Sequence, residues 1–135
     1  SADLSNTYLD WAQQNMELNG FSGQQYSYER VDVLQYLPTL DKESFDLIVL
    51  DPPTFSNSKS MKDVLDIQPM HVELVNECLR VLSPGGVLYF STNARKFELD
   101  EVGIKGTVKN ITTATTPFDF KGKLLRWCYM ITKEV

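Results

Sequence analysis

The sequence feature that most constrains the fold is an apolar run, Phe45–Leu50 (FDLIVL), followed at once by Asp51, Pro52 and Pro53. A continuous run of this kind, bounded by charges, is typical of a central strand buried on both faces of a parallel sheet. Proline cannot donate to a strand ladder, so the two prolines end the strand abruptly. We therefore expect a buried parallel strand whose carboxyl end carries an acidic side chain.

Helical and strand patterns alternate on both sides of this run. Ser5 can cap a helix that Asn19 and Gly20 close. The alternation predicts a doubly wound α/β sheet with an antiparallel strand pair at its carboxyl-terminal edge. In chain order, the predicted elements are a helix from Ser5 to about Asn19, a strand Tyr26–Val31, a short helix Val33–Leu40 interrupted by Pro38, the strand Phe45–Leu50, a polar loop Ser56–Ser60, a helix Ile67–Leu82 stopped by Ser83–Gly86, a strand Val87–Ser91, and two β-rich segments, Lys109–Thr115 and Arg126–Thr132.

Composition places the chain among ordinary globular domains. It has 135 residues, of which 42% are hydrophobic and 23% charged, with a net charge of −5. The charge is uneven, because Arg95–Lys133 holds 8 basic and 4 acidic residues, a basic region that an RNA or DNA partner could use. The sequence shows no signal segment and no apolar run long enough for a membrane helix. We expect a cytoplasmic protein in which Cys78 and Cys128 are buried thiols.

The beginning of the chain predicts a fragment. Ser1–Ser5 (SADLS) is typical of the last residues of a strand, and no glycine-rich turn precedes it. We therefore expect residues 1–135 to be the carboxyl-terminal portion of a single domain, entered partway through its sheet.

The strongest candidate site is the stretch from Asp51 to Phe55. In open α/β sheets the ligand crevice lies beyond the carboxyl ends of the strands. Two prolines make a rigid ledge there, Phe55 could stack on a planar base, and Asp51 could accept hydrogen bonds from it. An ordinary proline turn is the alternative, which the preceding strand pattern makes less favourable.

Two further acidic residues follow predicted strand ends. Asp3, before Leu4 and Ser5, could accept hydrogen bonds from both hydroxyls of a ribose. It could instead be an acidic cap residue that the helix dipole favours at the start of a helix. Asp32 could accept an adenine amino group beside Val33, or could instead cap a helix. From the residues alone, both alternatives stay open at each position.

Other polar residues carry weaker signals. Arg95 and Lys96, in the stretch Asn93–Phe97, could touch substrate phosphates or form a solvated basic loop. His71, the only histidine, is expected to be a surface or capping residue. No His/Cys cluster has metal-ligand spacing, so we expect no metal site.

Together these stretches resemble the class I S-adenosylmethionine-dependent methyltransferases. More closely, the chain resembles the carboxyl-terminal end of the bifunctional bacterial 23S rRNA guanine methyltransferases of the RlmKL type. The resemblance is carried by DLSNTYLDWAQQNMELNG at Asp3–Gly20 and FDLIVLDPPTFSNSK at Phe45–Lys59, with weaker echoes at Phe90–Phe97 and Trp127–Thr132. It implies a Rossmann-like sheet that is incomplete, since the first strand and its glycine-rich loop are missing.

The resemblance also implies a role for each candidate residue. Asp3, Leu4 and Ser5 would hold the ribose of S-adenosylmethionine, Asp32 and Val33 would meet its adenine, and Asp51 would face its methionine end. The residues implied at the catalytic ledge are Asp51, Pro52, Pro53 and Phe55. The residues implied to contact the 23S rRNA are Thr54, Phe55, Lys59, Arg95 and Lys96. The implied partners are 23S rRNA and the amino-terminal remainder of the parent chain, without which the isolated fragment is expected to be inactive.

The implied reaction is in-line methyl transfer to N7 of a guanine. That atom carries a lone pair at neutral pH, so positioning is the main requirement. One alternative is methylation of an exocyclic amine, at guanine N2 or adenine N6 of RNA or DNA or on a protein glutamine, which requires proton removal. Another is a non-catalytic RNA-binding remnant. A nucleotide-binding dehydrogenase would leave the proline ledge unexplained, and a 5-methylcytosine enzyme would need a cysteine near it.

Overall fold

A computed structural model of the chain describes residues 1–57, 59, 64–123 and 125–134. The strands are β1 Ala2–Asp3, β2 Glu29–Arg30, β3 Phe45–Leu50, β4 Phe55–Ser56, β5 Leu65–Asp66, β6 Leu82–Thr92, β7 Thr107–Asn110 and β8 Trp127–Thr132. The α-helices are α1 Asn6–Leu18, α2 Val33–Tyr36, α3 Ile67–Val81 and α4 Thr112–Thr115, with single 3₁₀ turns at Leu37–Thr39, Glu101–Gly103 and Phe118–Phe120. None of the helices in this described part is long and apolar enough to span a membrane.

The main sheet has four strands in the order β3-β6-β8-β7. Strands β3 and β6 are parallel, whereas β8 runs antiparallel to both β6 and β7. The predicted antiparallel pair at the carboxyl-terminal end is therefore confirmed. Two small sheets complete the pairing: β1 with β2 in parallel, and β4 with β5 in antiparallel.

Helix α3 covers one face of the main sheet. Its apolar residues recur at helical spacing, so that Val75, Cys78 and Leu79 share a buried stripe. This stripe belongs to the same core cluster as Phe90 and Ile131, two sheet residues that are fully buried. Both cysteines are buried free thiols, as predicted.

The expectation that Phe45–Leu50 is a central strand buried on both faces is wrong for this chain. In the main sheet β3 is an edge strand, hydrogen-bonded to β6 alone among the described residues. Alternation of side chains turns Ile48 and Leu50 towards the core and leaves Leu47 58% and Val49 70% exposed. The continuous apolar run predicted the strand correctly, but it could not show that the second face of the strand is uncovered.

Three predicted elements differ in extent. The strand expected at Tyr26–Val31 shortens to Glu29–Arg30, because the strand it pairs with, β1, has two residues. Strand β6 begins at Leu82 rather than Val87 and includes the glycine turn, with a register irregularity against β3. Within the predicted loop Ser56–Ser60, Ser56 belongs to β4, and Ser58 and Ser60 lie outside the described residues.

The predicted β-rich segment Lys109–Thr115 is strand only as far as Asn110 and then turns into α4. The side chain of Asn110 accepts a hydrogen bond from the Thr112 amide, and the Thr115 hydroxyl donates to the Ile111 carbonyl. These local bonds stabilise a helical turn in spite of the preference of threonine for strands.

The segment after Asp32 is fastened to helix α3 by one arginine. The Arg80 guanidinium donates to the carbonyl of Leu37 at 2.8 Å and to the carbonyl of Leu40 at 2.9 Å. Its Nε also donates to Glu77 at 2.9 Å. The predicted short helix with its proline is thus confirmed as α2 plus a 3₁₀ turn, held against the core.

Candidate functional site

The candidate site is built where the parallel strands β3 and β6 end side by side. Leu50 pairs with Phe90, so the residues that follow them, Asp51 and Ser91, are also neighbours. The Ser91 hydroxyl donates a 2.6 Å hydrogen bond to Oδ1 of Asp51. A bond between a hydroxyl and an ionised carboxylate is among the stronger ones, so it orients the Asp51 carboxyl group at the sheet edge.

The proline ledge is fixed by contacts on both of its flanks. The Thr54 hydroxyl donates to Oδ1 of Asn93 at 2.8 Å, which ties the ledge to the segment after β6. The Thr54 carbonyl accepts from the Ile67 amide at 3.1 Å, which ties it to the start of α3. Because Pro52 and Pro53 also restrict φ, the ledge has a defined conformation before any ligand binds.

The ledge borders an open cavity of about 300 Å³. This volume is at the lower end of the roughly 300–1,000 Å³ of small-molecule pockets. The lining side chains come from three strand ends and are mostly polar: Asp51, Pro52, Pro53, Ser91, Thr92, Asn93 and Arg126. A crevice at the carboxyl ends of parallel strands is the position that the sequence predicted for a ligand.

The sequence did not predict three of the residues that line this cavity. Ser91 and Thr92 lie at the carboxyl end of the strand beside β3, and Arg126 directly precedes β8. The sequence did hold one signal for Ser91 and Thr92, because this polar pair ends the apolar run of β6 and so marks a strand end. Strand order, which the sequence does not state, is what brings Arg126 to the same place.

Asp3 is exposed at the end of β1 and takes part in the start of helix α1. Its Oδ1 accepts a 2.7 Å hydrogen bond from the amide of Ser5. The Ser5 hydroxyl in turn accepts from the Tyr8 amide at 3.4 Å, which confirms Ser5 as the helix cap. Leu4 lies between them and accepts from Arg30 through its carbonyl. These contacts fix the local geometry, and the ribose-binding role stays a prediction.

Asp32 is the N-cap of α2, so the helix-cap alternative at this position is confirmed. Its Oδ1 accepts from the Leu34 amide at 3.0 Å. Val33 is partly buried and packs against the core. The adenine-binding role of Asp32 and Val33 remains a prediction.

Asp3 is the last residue of β1, and Asp32 lies two residues after the end of its partner strand β2. The Val31 amide donates to the Asp3 carbonyl at 3.0 Å, which puts the two acidic residues at one edge of that small sheet. Neither of them lines the cavity beside Asp51. That all three carboxylates contact one S-adenosylmethionine molecule, as the resemblance implies, therefore stays a prediction.

The residues predicted to contact a nucleic acid lie outside the cavity. Phe55 is 56% exposed on β4, where it pairs with Asp66. Lys59, Arg95 and Lys96 are exposed, and Thr54 is engaged with Asn93. These positions suit contact with a large ligand that extends beyond the cavity, and the structure leaves their predicted roles open.

His71 is neither a surface residue nor a helix cap, as the sequence had suggested, but a buried structural residue. Its side chain packs edge-on against Phe97, with ring centroids 4.9 Å apart. Nε2 accepts from the Asp100 amide at 3.0 Å, and Nδ1 lies 2.6 Å from the Gln68 carbonyl. Both contacts are satisfied by a neutral ring with its proton on Nδ1. His71 thus ties helix α3 to the loop after β6.

A metal centre finds no support in the part of the chain that the structure describes. No group of three or more His, Cys, Asp or Glu side chains there is arranged to hold an ion. The acceptor and donor groups at the strand ends are instead suited to an organic ligand with hydroxyl and amino groups.

Comparison with protein families finds one match. Residues 1–90 match the family model described as "Methyltransferase domain". The matched part includes β1, α1, the strand β3 and the proline ledge, and it ends within β6.

Two curated relatives are similar to almost the whole chain. The Ribosomal RNA large subunit methyltransferase K of Neisseria meningitidis serogroup B is 48% identical, over 97% of this chain and 38% of that protein. The Ribosomal RNA large subunit methyltransferase K/L of Saccharophagus degradans is 50% identical, over 97% of this chain and 18% of that protein. The chain therefore spans less than half of the length of each of these relatives.

Solved structures share the fold at low sequence identity. A SAM-dependent methyltransferase from Agrobacterium tumefaciens matches with a TM-score of 0.67 and 17% identity, over 98% of this chain and 47% of that one. A protein assigned to the methyltransferases and crystallised with SAH matches with a TM-score of 0.74 and 19% identity, over 98% of this chain and 38% of that one.

Proposed function

The chain belongs to the S-adenosylmethionine-dependent methyltransferase family, and from that premise we propose that it serves to methylate a guanine of 23S rRNA at N7. Residues 1–135 form the carboxyl-terminal portion of one methyltransferase domain in a longer polypeptide. Its amino-terminal remainder supplies the first strand and the glycine-rich loop. An rRNA substrate places this activity in the cytoplasm.

The observation that supports this proposal is the Asp51–Ser91 hydrogen bond at the joint end of two parallel strands. It orients a carboxylate on the wall of a polar cavity, beside a ledge that two prolines stiffen. The names of the relatives supply the substrate class, since both are called ribosomal RNA large subunit methyltransferases.

The residues of the chain fit the cofactor. Asp3 would accept the ribose hydroxyls, with Leu4 and Ser5 setting the backbone around it, and Asp32 and Val33 would meet the adenine. Carboxylate oxygens such as those of Asp3 and Asp32 are hydrogen-bond acceptors, as the hydroxyl and amino donors of the cofactor require. When bound, S-adenosylmethionine supplies an electrophilic methyl group on a sulfonium.

The ledge would position the guanine. N7 carries a lone pair at neutral pH, so the protein needs no strong general base for this atom. Alignment of two reactants can lower a barrier by several kcal/mol. Pro52 and Pro53 would set the plane of the base, Phe55 would stack on it or on its neighbour, and Thr54, Lys59, Arg95 and Lys96 would contact the RNA around it.

One observation favours a second candidate, methylation of an exocyclic amine such as guanine N2 or adenine N6. Asp51 lines the cavity, and its carboxylate could take the proton that an amino group must lose. The two candidates predict different products from the same site.

The test is chemical analysis of the product. Mass spectrometry of 23S rRNA from cells lacking the gene should show the loss of one N7-methylguanosine, restored by the full-length gene. Loss of an N2-methylated guanosine or an N6-methylated adenosine instead would favour the second candidate, and an unchanged rRNA would contradict both and favour a non-catalytic RNA-binding role.

Calorimetry separates the contribution of the fragment from that of the whole protein. We expect the full-length protein to bind S-adenosylmethionine and residues 1–135 alone to bind weakly and to lack activity. Binding of NAD by the full-length protein, without binding of S-adenosylmethionine, would overturn the proposal.

A further inference from the structure

Arg126 lines the cavity and has no role in the proposed methyl transfer. It directly precedes β8, whose first residue, Trp127, pairs with Thr92 at the end of β6. Arg126 is half-buried and lines the same cavity as Asp51 and the proline ledge. A cation therefore lies at the candidate site itself.

The guanidinium is held in place from one side. Its Nη1 donates to the Thr115 carbonyl at 3.2 Å, to the Thr115 hydroxyl at 3.1 Å and to the Thr116 hydroxyl at 3.4 Å. The Thr116 hydroxyl is itself fixed, because it donates to the Thr112 carbonyl at 2.6 Å. A long flexible side chain is thus pre-organised by the end of α4.

The charge of Arg126 has no counter-ion within the part of the chain that the structure describes. All three atoms that accept from it are neutral, and the ion pairs found there are Arg80–Glu77 and Lys133–Glu43. Removing a cation from water is costly unless an anion approaches it. Nε and Nη2 carry further donors, and a guanidinium fork matches a phosphate in a bidentate arrangement.

The segment that precedes Arg126 in the chain carries side chains of the kinds that bind single-stranded nucleic acids. Phe118 is 86% and Phe120 46% exposed, and Lys121 and Lys123 are exposed beside them. Exposed aromatic rings can stack on bases while basic side chains track the phosphates. The excess of basic residues between Arg95 and Lys133 gives this half of the chain the matching charge.

From these observations we propose that Arg126, anchored by Thr115 and Thr116, is a phosphate subsite for the RNA backbone at the target nucleotide. The inference rests on the proposed function and adds a residue that fixes how deeply the RNA enters the cavity. A carboxylate of the cofactor would offer similar chemistry, and the experiment separates these two sources of the anion.

The experiment uses the full-length protein with Arg126→Ala and Arg126→Lys, and Lys42→Ala as a control that removes one exposed positive charge outside the basic region Arg95–Lys133. Affinities for a labelled, guanine-containing single-stranded RNA are measured between about 50 and 200 mM salt. We expect Arg126→Ala to raise the Kd for RNA about tenfold or more, which corresponds to about 1.4 kcal/mol. The slope of log K against log salt should flatten by about 0.7, the value for one phosphate on a single strand.

The other variants and a second ligand make the result specific. Arg126→Lys should keep the salt slope and lose part of the affinity, because an ammonium lacks the bidentate fork. Lys42→Ala should leave RNA affinity near that of the wild type, and Arg126→Ala should leave the Kd for S-adenosylmethionine unchanged. If Arg126→Ala fails to fold in a thermal unfolding assay, Arg126→Lys decides, and unchanged RNA affinity in that variant would overturn the inference.

Failure of the inference is distinguishable from failure of the proposed function. If the wild-type protein methylates rRNA but Arg126→Ala keeps both RNA affinity and salt slope, Arg126 is only an anchor for the loop and the inference is wrong. A loss confined to S-adenosylmethionine affinity would assign the cation to the cofactor and overturn it equally. An rRNA methylation pattern that does not change when the gene is removed would instead refute the proposed function.

Discussion

The hydroxyl of Ser91 donates a 2.6 Å hydrogen bond to the carboxylate of Asp51 across the neighbouring ends of β6 and β3. The two residues are 40 positions apart in the chain. Parallel pairing with Leu50 opposite Phe90 brings the next residue of each strand together at one edge of the sheet. The orientation of the candidate catalytic carboxylate therefore depends on a residue from another strand.

We predict that Ser91→Ala lowers kcat of the full-length enzyme more than it changes the Kd for S-adenosylmethionine. A hydrogen bond to a charged group contributes about 1.5–3 kcal/mol, so the decrease should be about tenfold or more if the orientation of Asp51 matters. Ser83→Ala is the matched control, because Ser83 lies at the other end of β6 and its hydroxyl donates to the Glu43 carbonyl. Equal decreases in the two variants would contradict the prediction.

We predict a division of labour between Asp3 and Phe55. Asp3→Ala should mainly weaken cofactor binding. The ribose hydroxyls would lose their charge-assisted hydrogen bonds to the Asp3 carboxylate, which are worth about 1.5–3 kcal/mol each. Phe55→Ala should mainly weaken RNA binding, since stacking on an aromatic ring is worth about 1–3 kcal/mol per base. Titration of both variants with each ligand checks this, and similar losses for both ligands would refute the assignment.

We predict that His71→Phe destabilises the fold without a local change at the cavity. Phenylalanine keeps the ring shape but leaves the Asp100 amide without its acceptor in this partly buried contact, which costs about 0.5–1.5 kcal/mol. Denaturant unfolding should report this loss. Glu73→Ala, an exposed position on the same helix, should change the stability by less than about 0.5 kcal/mol. Wild-type stability of His71→Phe would show that the contact is dispensable.

We predict that the stability decreases at alkaline pH in part through Cys78. Burial raises the pKa of its thiol from 9.0 to about 12, with a smaller contribution from the nearby Glu77 carboxylate. The folded protein keeps the proton that the unfolded chain releases, so stability is complete below pH 9 and is lost as the pH rises towards 12.

The measurement compares unfolding free energies at pH 8 and pH 10 for the wild type and Cys78→Ala. The wild type should lose about 1.4 kcal/mol more than the variant between these pH values, since one pKa unit corresponds to about 1.36 kcal/mol. A thiol-specific reagent at pH 8 should label Cys78 only after denaturation. Parallel pH profiles, or rapid labelling of the folded protein, would contradict the prediction.

Local signals in the sequence were sufficient for the elements that local chemistry controls. Ser5 begins α1 because its hydroxyl can accept from the first turn, and Pro52 ends β3 because it cannot donate. The stripe of apolar residues in α3 predicted its bounds to within one residue. These features depend on residues close together in the chain, so the sequence carried them directly.

What only the tertiary structure decided depends on strand order and on which faces are covered. The sequence by itself determined an acidic group and a proline ledge at a strand end, because neighbouring residues encode both. The exposure of Val49, the burial of His71 and the meeting of Asp51 with Ser91 and Arg126 needed the folded chain. The physical reason is that pairing between strands is set by the packing of distant segments, and no local pattern specifies which distant residue will lie opposite.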